Sequence, residues 1–197
     1  MRLSLAPAPA LVLLLVPAAL AASQGQPQPA APAGAPQASA LPVAAEADVA
    51  SPEAIVAALY DVISGPAGQA RNWDRFRSLF APGARLIPAA PRPDGAAPPS
   101  LSPEDYVQRA SARFLKDGFF EREIARRVES YGTVVHVFST YESRRAREDE
   151  KPMARGINSI QLMKHAGRWW IVTVMWDQER PDNSIPSKYL VNEPPRG

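Results

Sequence analysis

Cysteine is absent from all 197 residues, which excludes a disulfide framework, a thiolate metal site and a lipid-attachment cysteine. Histidine occurs only twice, at His136 and His165, and neither sits near a compact acidic cluster, so no resident metal or cofactor is expected. The chain also lacks a G-x-S-x-G elbow, an H-E-x-x-H helix and an Asn-x-Ser/Thr acceptor. Gly65-Pro-Ala-Gly68 is no phosphate loop, because it follows a helical pattern and has no Gly-Lys-Ser/Thr ending. Nor is there an excess of one charge: the formal net charge is +2. Arg122, Arg126 and Arg127, and then Arg144, Arg145 and Arg147, are interleaved with Glu121, Glu123, Glu129, Glu148 and Asp149. Interleaved signs read as a solvated strand face and loop, so nucleic acid is not an expected partner.

Long apolar runs are also missing. The run Leu11 to Val16 near the N-terminus stops at Pro17, well short of the ~20 residues that span a bilayer, so no stable membrane anchor is expected. Arg2 before that run and Ala19-Leu20-Ala21 after it make residues 1–21 read as a cleavable signal peptide, which places the protein outside the cytoplasm, secreted or periplasmic. Residues 22–50 are almost wholly Ala, Pro, Gln, Gly and Ser, which bury too little apolar surface to offset chain entropy, and read as a flexible linker. One domain is left at 51–180, followed by a proline-rich tail at 181–197 in which Ile185, Tyr189 and Leu190 are able to pin the chain to the body.

Ser51-Pro52-Glu53 is a helix start, followed by the stripe Ile55, Leu59 and Val62, and Gly65 ends it. A second helix is predicted from Asn72 to Phe80, ending at Pro82-Gly83, and a short strand from Ala84 to Ile87. Ser102-Pro103-Glu104 repeats the start signal for a third helix that closes at Gly118. Four strand-like runs follow: 119–128, 134–141, 155–163 and 169–177. Helices first and an antiparallel meander afterwards predict an α+β fold. The last two runs flank Ala166-Gly167 at hairpin spacing, which pairs Lys164 with Trp169, Leu162 with Ile171, Ile160 with Thr173 and Asn158 with Met175. Both faces of that hairpin are too apolar for open water, so one is expected on the helices and the other on a second copy of the chain.

This order of elements, with Gly156-Ile-Asn-Ser-Ile-Gln-Leu, Gly167-Arg-Trp-Trp-Ile and the strand end Trp176-Asp177, resembles the nuclear transport factor 2-like superfamily over Ser51 to Asp177. More closely, it is similar to exported bacterial members of unassigned activity. The resemblance implies a cone: three helices in a strongly curved antiparallel sheet, an apolar cavity at one end, and dimerisation through the outer sheet face. Its members include ketosteroid isomerases, scytalone dehydratase, limonene-epoxide hydrolase and polyketide cyclases, beside others that only bind or assemble, so the fold alone assigns no chemistry. By the superfamily pattern Trp169 and Ile171 face inward, which puts Asn158 and Thr173 beside Trp169 as ligand-binding candidates and Asp177 near the cavity. The isomerase mechanism does not carry over, because Arg85-Leu86-Ile87 stands where its general-base aspartate belongs.

The candidate catalytic set is His136, Asp177 and Tyr60. His136 lies in the apolar run Val134 to Phe138 as a possible general base; the competing reading is a sheet histidine bonded to a neighbour. Asp177 suits proton transfer if a dry mouth raises its pKa, and otherwise is a strand-end acid paired with Arg168 or Arg180. Tyr60, on the first helix, offers a phenol. His165 is expected in solvent, and Trp73, Trp169, Trp170 and Trp176 are read as core before pocket. The expected function is therefore binding of a small apolar ligand or a partner by an exported homodimer. The alternative is a cofactor-free lyase, isomerase or hydrolase, which requires two of the three candidates to converge in one cavity.

Overall fold

The computed structural model describes residues 41–192. The expected signal peptide, the expected linker up to residue 40 and the end of the expected tail lie outside the described residues.

Helix α1 (Glu46–Val49) forms one turn inside the stretch whose composition reads as linker. Val49 is buried, and Asp48 accepts hydrogen bonds from Arg75 at 2.7 and 2.9 Å, so two side chains suffice to hold it. Helix α2 (Pro52–Ile63) starts where expected, with the Ser51 hydroxyl accepting from the Ala54 N–H at 3.1 Å. Its stripe is buried, and Ile55 and Val56, fully covered, each contribute roughly 1.5–3 kcal/mol. At its end the buried Arg71 guanidinium donates to the carbonyls of Ile63 at 2.9 Å and Gly65 at 2.5 Å, which otherwise have no helical partner. Gly65 then exchanges backbone bonds with Phe119, tying the end of α2 to the start of the main sheet.

Helix α3 (Trp73–Ser78) is shorter than the predicted Asn72 to Phe80. Leu79 and Phe80 leave the helix because strand β1 (Phe80–Pro88) begins there, with the Leu79 carbonyl accepting from the Ile171 N–H at 3.0 Å. Phe76, Leu79 and Phe80 are still buried together, so the apolar face was legible although its conformation was not. Helix α4 (Pro103–Asp117) carries a full capping box: Asp105 N–H donates to the Ser102 hydroxyl at 3.1 Å, and Ser102 N–H donates to the Asp105 carboxylate at 2.9 Å.

Strands β2 (Phe120–Tyr131), β3 (Val134–Arg144), β4 (Ala154–His165) and β5 (Arg168–Gln178) form the meander. The sheet order is β1-β5-β4-β3-β2, antiparallel throughout except that β1 runs parallel to β5. The fold is α+β, with the helices packed on the inner sheet face through a core that includes Phe76, Val137, Ile160, Leu162 and Ile171. Bulges at Ile124 in β2 and Val172 in β5 bend the sheet around them.

The Val172 bulge corrects the hairpin register. Lys164 opposes Trp169 and Leu162 opposes Ile171, but Gln161 then opposes Thr173, Ile160 opposes Val174 and Asn158 opposes Trp176. Beyond Val172 every β5 side chain therefore changes face relative to the expectation. Val174 and Trp176 point inward, and Thr173, Met175 and Asp177 point outward. The cause lies on the neighbouring strand, where Phe80 opposes Ile171 but Arg85 opposes Thr173, so Ala81-Pro82-Gly83-Ala84 loops out beside Val172. Proline has no N–H for the ladder, and Gly83 adopts φ +80, so β1 cannot run straight past this point.

Candidate functional site

Between the inner sheet face and α4 lies an open-mouthed cavity of about 610 Å³. Its walls are apolar, with Leu59, Phe76, Tyr106, Phe114 and Trp176 among them. Its polar lining includes Glu121 on β2 and Asn158 on β4, and Tyr60 on α2, which is not itself in the lining, bonds Asn158.

Glu121 is positioned by Ser64, just past α2, whose hydroxyl accepts from the Glu121 N–H at 3.0 Å and donates to the Tyr60 carbonyl at 2.7 Å. Glu121 and Glu123 stand on the inner face, opposite Ser143 and Tyr141, while Arg122 between them points out and donates to Glu142. Asn158 Nδ2 donates to the Tyr60 hydroxyl at 3.0 Å and lies 3.4 Å from Glu121 Oε1. The Tyr60 hydroxyl lies 2.7 Å from Ser139 Oγ, and Ser139 donates to Glu123, which is ion-paired with Arg126 at 2.5 Å. Because Ser139 donates its hydroxyl hydrogen to Glu123, the Tyr60 hydroxyl donates to Ser139 and accepts from Asn158. Tyr60 thus has no proton left for a ligand, and its role is to hold Asn158.

Burial raises the Glu121 carboxyl to about 8, against the Asn158 contact, which holds it down. At neutral pH this is mainly an uncharged acid with an O–H to donate. Asn158 is its one side-chain partner among the described residues. Burial also raises the Tyr60, Tyr106 and Tyr141 phenols, and the Glu121 charge adds to each shift.

The three residues read from the sequence as an acid/base set are not brought together. His136 is on the outer face, with Nε2 2.9 Å from Ser159 Oγ, which is the neighbour-bonded sheet histidine weighed above. Asp177 is also on the outer face, accepting from Arg180 at 2.5 Å and Asn183 at 3.2 Å, so the expectation of an acid at the cavity mouth is corrected by the bulge. Of the ligand-binding candidates, Asn158 lines the cavity, Thr173 faces away from it for the same reason, and Trp169 is packed in the core. Glu121, read as part of a solvated strand, was missed. The available signal was its spacing: acids at 121 and 123 flanking a base at 122 put one sign on each face of a strand.

Among the described residues no group of three or more His, Asp or Glu side chains is placed to hold a metal ion, and no helix is long and apolar enough to cross a membrane.

No family model matches the sequence, and no curated protein is similar to it. Solved structures that are similar include a protein of unknown function with a cystatin-like fold from Nostoc punctiforme, at TM-score 0.49 and 13% identity over 64% of this chain and 87% of that one. An NTF2-like protein of unknown function from Methylobacillus flagellatus follows at TM-score 0.44 and 16% identity, over 66% and 95% of the two chains. Another, from Silicibacter pomeroyi, has TM-score 0.45 and 15% identity over 64% and 92%.

Proposed function

We propose that this domain binds a small, largely apolar molecule that presents a hydrogen-bonding group, such as a carbonyl, to Glu121. The observation that carries this reading is the Glu121 carboxyl, which lines a cavity of about 610 Å³ beside Asn158, 3.4 Å away, and which burial pushes toward its uncharged form. Apolar walls with a few fixed polar groups are what a small-molecule site requires. The neutral fluorescent probe N-phenyl-1-naphthylamine tests it. Fluorescence should rise on titration into the folded protein and fail to rise with Ala110→Phe, which fills the cavity from α4. No response from the wild-type protein would remove the reading.

Export and dimerisation belong to the same proposal. Export rests on residues 1–21, and N-terminal sequencing of protein recovered from a bacterial periplasm should start after Ala21. Dimerisation is assigned to the outer sheet face, where Met163 and Met175 are exposed beside a tail that crosses the face at Phe138, Thr140 and Asp177. Light scattering should report a dimer that Met175→Glu dissociates.

A second reading, cofactor-free proton transfer on a hydrophobic substrate, is favoured by Glu121 holding its proton near neutrality. It predicts that the wild-type protein, unlike Glu121→Gln, speeds deuterium exchange at the carbon next to the carbonyl of cyclohexanone.

A further inference from the structure

Three arginines line the same cavity: Arg109 and Arg113, one turn apart on α4, and Arg145 in the loop after β3. All three are exposed. Among the lining residues Glu121 is the one carboxylic acid, so the lining holds three cations against one carboxyl. Several other arginines of this domain have a carboxylate partner: Arg75 with Asp48, Arg77 with Glu104, Arg122 and Arg144 with Glu142, and Arg155 with Glu179. Arg109, Arg113 and Arg145 are in no ion pair among the described residues. Asp105, one turn before Arg109, is taken up by the Ser102 cap.

The backbone explains why Arg145 is here. The Gly118 backbone, at φ +70, passes so close to the Arg145 carbonyl that a Cβ built on Gly118 would stand 2.6 Å from it. The loop after β3 is thereby held against the C-terminal end of α4, on the side where Arg113 emerges. Exposed guanidinium groups from two elements thus line one cavity whose walls also hold Phe114, Phe119 and Met153. Positive charge around an apolar opening favours a ligand that ends in an anion, because the apolar part enters and the charged end stays where water and arginine both reach it.

Resting on the cavity reading above, we propose that the ligand is an amphiphile with an oxyanion head, a carboxylic acid being the simplest, and that Arg109, Arg113 and Arg145 hold the head at the mouth. Neutral molecules of the same shape enter the cavity but lose this contact. A cation of the same shape is disfavoured.

Displacement of N-phenyl-1-naphthylamine from the full chain by decanoate, decanol and decylammonium tests this. Decanoate should displace the probe about tenfold more tightly than decanol, as a charge-assisted contact requires, with decylammonium the weakest. The advantage should shrink on going from about 20 mM to about 500 mM salt, because the guanidiniums are exposed. It should shrink several-fold in Arg113→Gln with Arg145→Gln, where only Arg109 is left, return in Arg113→Lys with Arg145→Lys, and leave decanol unchanged throughout. Equal binding of decanoate and decanol, or an advantage indifferent to the glutamine pair, would overturn the arginine assignment and leave the cavity reading standing. Failure of the probe itself to bind would remove both. The glutamine pair alters exposed side chains, and an unchanged urea midpoint separates a lost contact from a lost fold.

Discussion

Asn158 Nδ2 donates to the Tyr60 hydroxyl at 3.0 Å, a bond that joins the fourth strand to the second helix across 98 positions of sequence. Tyr60→Phe removes that acceptor and also the proton given to Ser139. Each buried polar group left without a partner costs about 1–3 kcal/mol, so urea unfolding should register a loss in that range. Ser139→Ala added to Tyr60→Phe should cost less than the sum of the two single changes, because the network is already broken. Additive losses would mean that the two hydroxyls act independently.

Glu121 predicts a stability that falls as pH rises. Its carboxyl is raised from the ordinary 4.5 to about 8 in the folded chain. Below 4.5 both folded and unfolded states hold the proton, and nothing is lost. Between 4.5 and about 8 only the unfolded state releases it, so stability drops by up to about 1 kcal/mol per pH unit, and the drop levels off above about 8. Urea midpoints measured across this window should slope for the wild-type protein. Glu121→Gln should remove this component of the slope and be the more stable form at the alkaline end.

Gly156 lies where β3, β4 and β5 meet. A Cβ at this position would stand 2.3 Å from the Asp177 carbonyl and 2.6 Å from the Tyr141 hydroxyl oxygen. One contact is to sheet backbone, which cannot move without disturbing the ladder. Gly156→Ala is therefore expected to cost about 1–3 kcal/mol, read as a lower thermal midpoint. A neutral substitution would show that the β4–β5 pairing yields there.

Ala166 has φ +50 and Gly167 has φ +80, so the hairpin turn needs the left-handed region at two successive residues. Alanine tolerates that region poorly, whereas asparagine adopts it readily. Ala166→Asn should raise stability by about 0.5–1 kcal/mol, with β4 and β5 chemical shifts unchanged away from the turn. A destabilised variant would argue against this turn geometry.

Local signals in this chain were read well where they act over a few residues. The Ser51 and Ser102 caps, the stop at Gly118 and the Ala166-Gly167 turn each depend on contacts within four positions, and each helix or hairpin stands where its signal lies. Pro82-Gly83 was legible as a break, but its effect is felt on another strand. It interrupts β1 beside Val172 of β5, and nothing near Val172 marks the bulge. For this reason the pairs next to the turn are as expected while Thr173 and Asp177 changed face.

Glu121 is a second instance of the same limit. Alternation with Arg122 identifies a strand with opposite charges on its two faces, but which face is dry depends on where α2 and α4 pack. The protonation of its carboxyl is decided by that burial and by Asn158, 37 positions away. Sequence by itself determined the α+β class, the order of the elements from α2 to β5 and the apolar stripes, because these follow from periodicity and from bonds between near neighbours. The tertiary structure alone decided which side chains share the cavity, since register beyond a bulge, desolvation of an acid and the gathering of Arg113 and Arg145 at one mouth all arise between segments distant in the chain.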